Sequence, residues 1–216
     1  MAAIEPIDFE RVPPDLCRKA SRFGAATLHE AAGKIGALPS AIKPMAPAFR
    51  IAGPAFTVQG PGGDNLWLDR AIAFARPGDV LVAYAGGVFE AGYWGEIMST
   101  AAVAMGLGGL VMDGCVRDGE LLPKIGFPVF ARGLCIRGTG KDFAADGRLG
   151  APIAIGDATV EAGDLVVGDT DGVVVVPRDR VAQVNKAAAA REAKEADIMA
   201  KLRQGANTLD LYGWNR

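Results

Sequence analysis

The run Gly108-Gly109-Leu110-Val111-Met112-Asp113-Gly114-Cys115-Val116-Arg117-Asp118-Gly119-Glu120 constrains the fold of this chain more than any other stretch. Its apolar part, bounded by glycines, reads as a buried strand that ends on a glycine turn. An arginine and a carboxylate stand side by side in that turn, immediately before a helical pattern. In α/β proteins, function tends to sit where strands end, so Arg117 and Asp118 are the first candidates for chemistry.

The rest of the chain supplies strands and helices in alternation. Residues 8–37 have helical spacing in two pieces, the second carrying Thr27-Leu28-His29-Glu30-Ala31. A loop-rich stretch from Pro44 to Pro54 leads into a strand at Ala55–Val58. Leu66–Ala75 has helical spacing, Val80–Tyr84 reads as a strand, and a second helix opens at about Glu96 and stops at Gly106. A short helix over Glu120–Ile125 precedes a strand at Phe127–Ala131. Pro77-Gly78-Asp79-Val80-Leu81-Val82 and Ala162-Gly163-Asp164-Leu165-Val166-Val167 look alike, each a turn followed by a strand. Asp171-Gly172 is a tight hairpin signal. A long, charged, exposed helix runs from about Arg180 to Gln204, with an aromatic tail to Arg216. One α/β domain over residues 1–216 is predicted.

Composition removes several function classes. A formal net charge of -2, with Lys and Arg spread thinly, argues against a nucleic-acid surface. No apolar run approaches the ~20 residues of a membrane span, and Met1–Pro6 lacks the basic and apolar regions of a signal peptide. A cytoplasmic protein is expected. The 3 cysteines are odd in number and widely spaced, which fits neither a disulfide framework nor a zinc knuckle. The single histidine, His29, rules out sites built from several imidazoles within one chain. A bound metal would therefore have mostly oxygen ligands, pointing to Mg²⁺, Mn²⁺ or another hard divalent cation.

A helix opening at Glu96 leaves the amides of Glu96, Ile97 and Met98 without intrahelical partners. With the helix dipole they make a site for a carboxylate or phosphate. Each feature also has a plain structural explanation. Glu96 is favourable in any first helical turn, and Asp118 is a good N-cap for the helix that follows it. Arg117 could be solvated, His29 could pack on a helix face, and Lys141 reads as a surface lysine in a loop.

Taken together and in order, the markers resemble one family. They are Ala26-Thr27-Leu28-His29-Glu30-Ala31, Arg76-Pro77-Gly78-Asp79-Val80-Leu81-Val82, Gly92-Tyr93-Trp94-Gly95-Glu96 and Asp113-Gly114-Cys115-Val116-Arg117-Asp118, joined by Gly126–Arg132 and Asp171–Pro177. The chain is similar, from about Gly24 to Tyr212, to the 4-hydroxy-4-methyl-2-oxoglutarate and 4-carboxy-4-hydroxy-2-oxoadipate aldolases. That family also contains the regulator of ribonuclease E activity A.

The resemblance implies a swivelling β/β/α-type sandwich of β-sheets flanked by helices, with a long C-terminal helix. It implies a homotrimer or homohexamer with the active site between subunits, and a 2-oxo acid as the small-molecule partner. Asp118 would ligate a divalent metal otherwise held by waters, and Arg117 would contact the keto and enolate oxygens of a pyruvyl unit. Gly95, Ile97 and Met98 would form the substrate-binding stretch, the two amides holding the carboxylate. Glu96, where aldolase relatives often have aspartate, and Glu195 of an adjacent subunit would be catalytic partners of the metal waters. The implied activity is class II pyruvate aldolase with oxaloacetate decarboxylase capacity. The regulator branch does not keep the acidic half of the Arg117–Asp118 pair, so an enzyme is favoured over a non-catalytic ribonuclease regulator.

Overall fold

The computed structural model describes residues 7–215, so the Met1–Pro6 segment lies outside the described residues. Helices α1 (Pro14–Ala20) and α2 (Ala25–Ala31) precede strands β1 (Lys43–Pro44) and β2 (Ile51–Gln59). Then come α3 (Leu66–Phe74), β3 (Val80–Tyr84), α4 (Glu96–Ala104), β4 (Gly109–Val116), α5 (Leu122–Ile125) and β5 (Val129–Leu134). The last third holds β6 (Arg148–Leu149), β7 (Ile153–Ile155), β8 (Ala158–Val160), β9 (Leu165–Asp169) and β10 (Gly172–Val176). It ends with α6 (Val181–Arg203) and α7 (Thr208–Tyr212).

The main sheet has the order β1-β5-β4-β3-β2-β9-β10, with β6 added beside β2. Strands β2, β3, β4 and β5 are parallel, while β9, β10, β1 and β6 join antiparallel. Strand β1 also lies against β9 and β10, so the sheet nearly closes into a barrel. This is the mixed α/β architecture expected, with helices outside and a long C-terminal helix.

Strand β2 is where the sheet changes character. Its first half, Ile51–Pro54, pairs with β9, and its second half, Ala55–Gln59, pairs with β3. Pro54, expected to end a loop, lies inside the strand at this switch. It has no N–H to donate, and Ala55 resumes pairing by donating to the Asp164 carbonyl at 2.7 Å.

Two hydrophobic cores share the β9–β10 hairpin. Side chains alternate across a strand, so Val173 and Val175 enter the core containing Phe56, Leu81 and Phe130. Val174 and Val176 enter a second core with Leu28, Val181 and Val184. The hairpin turn is Thr170-Asp171, with Gly172 already paired to Asp169, one residue earlier than the Asp171-Gly172 signal suggested.

Three further expectations need correction. Residues 8–13 are not helical; only Pro14–Ala20 and Ala25–Ala31 are. Helix α6 is not exposed all round, because Val181, Val184, Asn185 and Ala188 pack inward against α1 and α2, and Ile198 is buried further along. Strand β4 does not stop at Gly114 but continues to Val116, all eight residues being buried. Gly114 is there for room: a Cβ would come within 3.1 Å of both the Met112 terminal methyl and the Tyr93 ring. The register against β5 slips between Met112 and Cys115, a bulge that re-aims the strand end.

Candidate active site

Strand β4 delivers Arg117 and Asp118 to the rim of a cavity of about 280 Å³. Its walls include Gly92–Met98, Arg117 and Asp118 on one side, and Asn65, Asp69 and Lys141 on the other. Asp118 has φ of 62°, one of two non-glycine residues in the left-handed region among the described residues. Aspartate tolerates this region better than most residues, yet the conformation is uncommon and often marks function.

Asp118 does not cap the helix that follows it, since α5 has no side-chain cap. Its Oδ2 instead accepts from the Glu96 amide at 2.9 Å, capping α4 from 22 residues away. The Arg117 Nε lies 3.9 Å from the same oxygen. The Glu96 amide, expected to be free, is therefore taken. The α4 ladder begins with the Ser99 amide donating to the Gly95 carbonyl at 3.0 Å. Among the described residues, the amides of Ile97 and Met98 find no protein acceptor, and both residues line the cavity.

Glycines permit this close approach. A Cβ on Gly95 would sit 2.2 Å from Asp118 Oδ2, and one on Gly92 would sit 2.5 Å from the Cys135 carbonyl. The residues between them are anchors. Tyr93 and Trp94 are fully buried, Tyr93 donating to the Val88 carbonyl at 2.6 Å and Trp94 to Ser99 Oγ at 2.7 Å. Behind the site, buried Asp113 accepts from Arg132 Nε at 2.7 Å, and that guanidinium stacks on Phe89. Burial pushes the Tyr93 hydroxyl and the Cys115 thiol above their ordinary values.

The structure brings Gly95, Glu96, Ile97, Met98, Arg117 and Asp118 into one cavity and leaves Glu195 out of it. Glu195, on α6, pairs with Arg191 at 2.8 Å, and Arg191 also reaches Glu30 on α2 at 3.6 Å. His29 lines a different depression and meets the Ile35 carbonyl through Nδ1. Lys141, read as a surface lysine, faces the cavity. Its loop is clamped by Gly140 donating to the Gly63 carbonyl at 2.7 Å and by Asp142 donating to buried Asp64 at 2.5 Å. Only long-range pairing fixes this placement.

One carboxylate oxygen, Asp118 Oδ1, is left without a protein partner among the described residues. That donor set fits a hard cation that keeps most of its waters and takes one or two carboxylates. It does not fit a caged ion: no group of three or more His, Cys, Asp or Glu able to hold a metal occurs among the described residues.

A nearly closed α/β sheet with two helix-start amides open beside an Arg-Asp strand end defines the class, and comparison with known proteins gives the family. The model of the RraA-like family (Aldolase/RraA) matches residues 15–175, and the chain belongs to that family. It is 35% identical over 158 residues to a Halalkalibacterium halodurans protein provisionally named 4-hydroxy-4-methyl-2-oxoglutarate aldolase, covering 73% of this chain and 74% of that one. A crystal structure of an uncharacterized Pseudomonas syringae pv. tomato protein superposes with a TM-score of 0.78 at 29% identity, covering 92% of this chain and 97% of that one. RraAS2 of Streptomyces coelicolor, described as an unusual member of the RNase ES inhibitor RraA family, superposes with a TM-score of 0.74 at 26% identity, covering 90% and 99%. No described helix is long and apolar enough to cross a membrane.

Proposed function

We propose that this chain is a divalent-metal-dependent pyruvate aldolase that cleaves a 4-hydroxy-2-oxo diacid or triacid and also decarboxylates oxaloacetate. One observation carries the reading. Two helix-start amides, at Ile97 and Met98, unpaired among the described residues, share a cavity with an arginine and with a carboxylate of which one oxygen has no partner there. The similarity to a provisionally named aldolase supports it.

Both reactions pass through the enolate of pyruvate. The amides of Ile97 and Met98 hold the substrate carboxylate, aided by the α4 dipole. Arg117 donates to the 2-oxo oxygen and stabilises the negative charge that develops there as the bond to C4 breaks. Asp118 Oδ1 would hold Mg²⁺ or Mn²⁺, which when bound supplies a Lewis acid for the same oxygen. Glu96, exposed at the cavity mouth, is positioned to take the proton from the 4-hydroxyl directly or through water. Glu195 would join it from a second copy of the chain in a homotrimer or homohexamer, since within one chain it lies away from the cavity.

The test is pyruvate release from oxaloacetate and from 4-hydroxy-2-oxo diacids. EDTA should abolish it and Mg²⁺ or Mn²⁺ restore it. Full turnover after chelation and dialysis would remove the metal from the reaction. No turnover of any 2-oxo acid, combined with retention of a ribonuclease on the protein, would move the reading to a non-catalytic regulator.

A further inference from the structure

The pyruvyl end of the proposed substrate accounts for the two amides and Arg117, but the cavity contains a second cation that this chemistry leaves unused. Lys141 Nζ donates to Asn65 Oδ1 at 3.1 Å and pairs with Asp69, on α3. Asn65 is fixed in turn, its Nδ2 donating to the Tyr93 carbonyl at 2.9 Å and touching Met98 Sδ at 3.5 Å. The start of α4 thus stands between two walls. Arg117 and Asp118 close against Gly95, while Asn65, Asp69 and Lys141 form the side next to Met98.

The lysine is placed with some care. Its neighbours Gly140 and Asp142 are both tied to the Gly63-Asp64 segment, and Asp64 is 8% exposed with both carboxylate oxygens occupied by backbone amides. A loop anchored on each side of one residue leaves that residue little choice of direction. Lys141 and Asp69 are each nearly half exposed, so the pair between them is weak in water and open to exchange.

We infer that Lys141 is a specificity residue, receiving the second carboxylate of the substrate in exchange for Asp69. Asn65 holds the ammonium in place as the partner changes. This deepens the aldolase reading and rests on it, for it restricts the substrate to 2-oxo acids with an anionic group beyond the pyruvyl unit. A carboxylate is the group expected, because the diacids of the aldolase reading carry one beyond the pyruvyl unit and a single ammonium matches that one added charge.

The test compares a two-carboxylate substrate with pyruvate, whose methyl hydrogens exchange with D2O through the same enolate but which has no second carboxylate. In Lys141→Met, the ratio of the diacid KM to the pyruvate-exchange KM should rise on the order of tenfold or more, the worth of one charge-assisted hydrogen bond. Lys141→Arg should recover part of that ratio, and Asp69→Asn, which removes the competing carboxylate, should lower it below the wild-type value. Equal rises in both KM values would mean that Lys141 grips the shared pyruvyl end, and no change in either would mean that it only braces its loop. Both outcomes overturn the assignment while leaving the aldolase reading intact. A wild-type protein that neither cleaves diacids nor exchanges pyruvate overturns both.

Discussion

Two of the molecule's aspartate–arginine pairs stand at opposite ends of its parallel strands, and they are built in opposite ways. At the start of β3, Asp79 is fully buried. Both its oxygens accept from Arg11, at 2.8 and 2.9 Å, and the Arg76 amide adds a third bond at 2.8 Å. At the end of β4, Asp118 is a third exposed, has left-handed backbone, keeps one oxygen free, and meets Arg117 at 3.9 Å only. The first pair is satisfied and immobile; the second is strained and open. Fixed charge at one end of the strands holds the scaffold, and incompletely paired charge at the other is available to a ligand.

The sharpest break between the two pairs comes from deleting each carboxylate. Asp118→Ala should lower pyruvate release by about a hundred- to a thousandfold, the scale on which removing a preorganised electrostatic group acts, and should abolish stimulation by Mg²⁺. The thermal midpoint should move little, so a loss of that size caused by unfolding would count against the assignment. Asp79→Ala should do the reverse. It strands the Arg11 guanidinium, whose side chain is 15% exposed, and breaking a buried pair on one side costs about 3–5 kcal/mol. Urea unfolding reads this directly, with activity per folded molecule retained.

Gly95→Ala is a smaller and more local probe. The added methyl meets Asp118 Oδ2, so the carboxylate must move away from the Glu96 amide. A loss of roughly ten- to a hundredfold in kcat/KM is expected, on the principle that ångström-scale misplacement costs about that much, together with weaker metal stimulation. Unchanged kinetics would show that the Asp118–Glu96 contact is dispensable.

The smallest effect concerns the second turn of the Asp79 type. Asp164 repeats the geometry, accepting from the Glu161 amide at 3.1 Å and from the Arg178 amide at 3.0 Å, but it has no bidentate arginine. Burial consequently pushes its carboxyl above the ordinary value of 3.8. A raised folded value means that the group favours the fold when protonated. That contribution is fully present below 3.8 and is lost as pH rises through the raised value. The stability of Asp164→Asn relative to wild type should therefore improve from acid toward neutral pH, measured by urea unfolding at each pH. A difference flat with pH would mean that Asp164 titrates normally.

Local signals carried much of this architecture. Val80–Tyr84 and the helix start at Glu96 were legible because a turn motif or glycine cluster sits directly against an apolar pattern. The two free amides followed from the helix start alone. Gly114 misled because a glycine in a strand can mean a break or a tight packing contact, and only the positions of Met112 and Tyr93 distinguish the two. Asp118 looked like the cap of the next helix, but its carboxylate reaches back to α4. Lys141 reads as a surface lysine for a similar reason, its placement being what the sequence leaves open: its neighbour Gly140 bridges to Asp64, 76 residues earlier in the chain, and nothing nearby encodes that. The placement of cavity residues joined through the sheet was readable, and the placement of those joined across loops was not.

The shared β9–β10 hairpin has a mechanical consequence. Because its valines form a party wall between two compartments, neither can be emptied while the other stays dry. Helix α6 leans on one side of that wall, and β2 and β3, which lead toward the site, lean on the other. The arm that would carry Glu195 to another subunit is thus anchored in the same valines that brace its own sheet. Melting that arm would uncover the reverse face of the hairpin and loosen the whole domain, so the protein should lose its reach and its scaffold in a single transition.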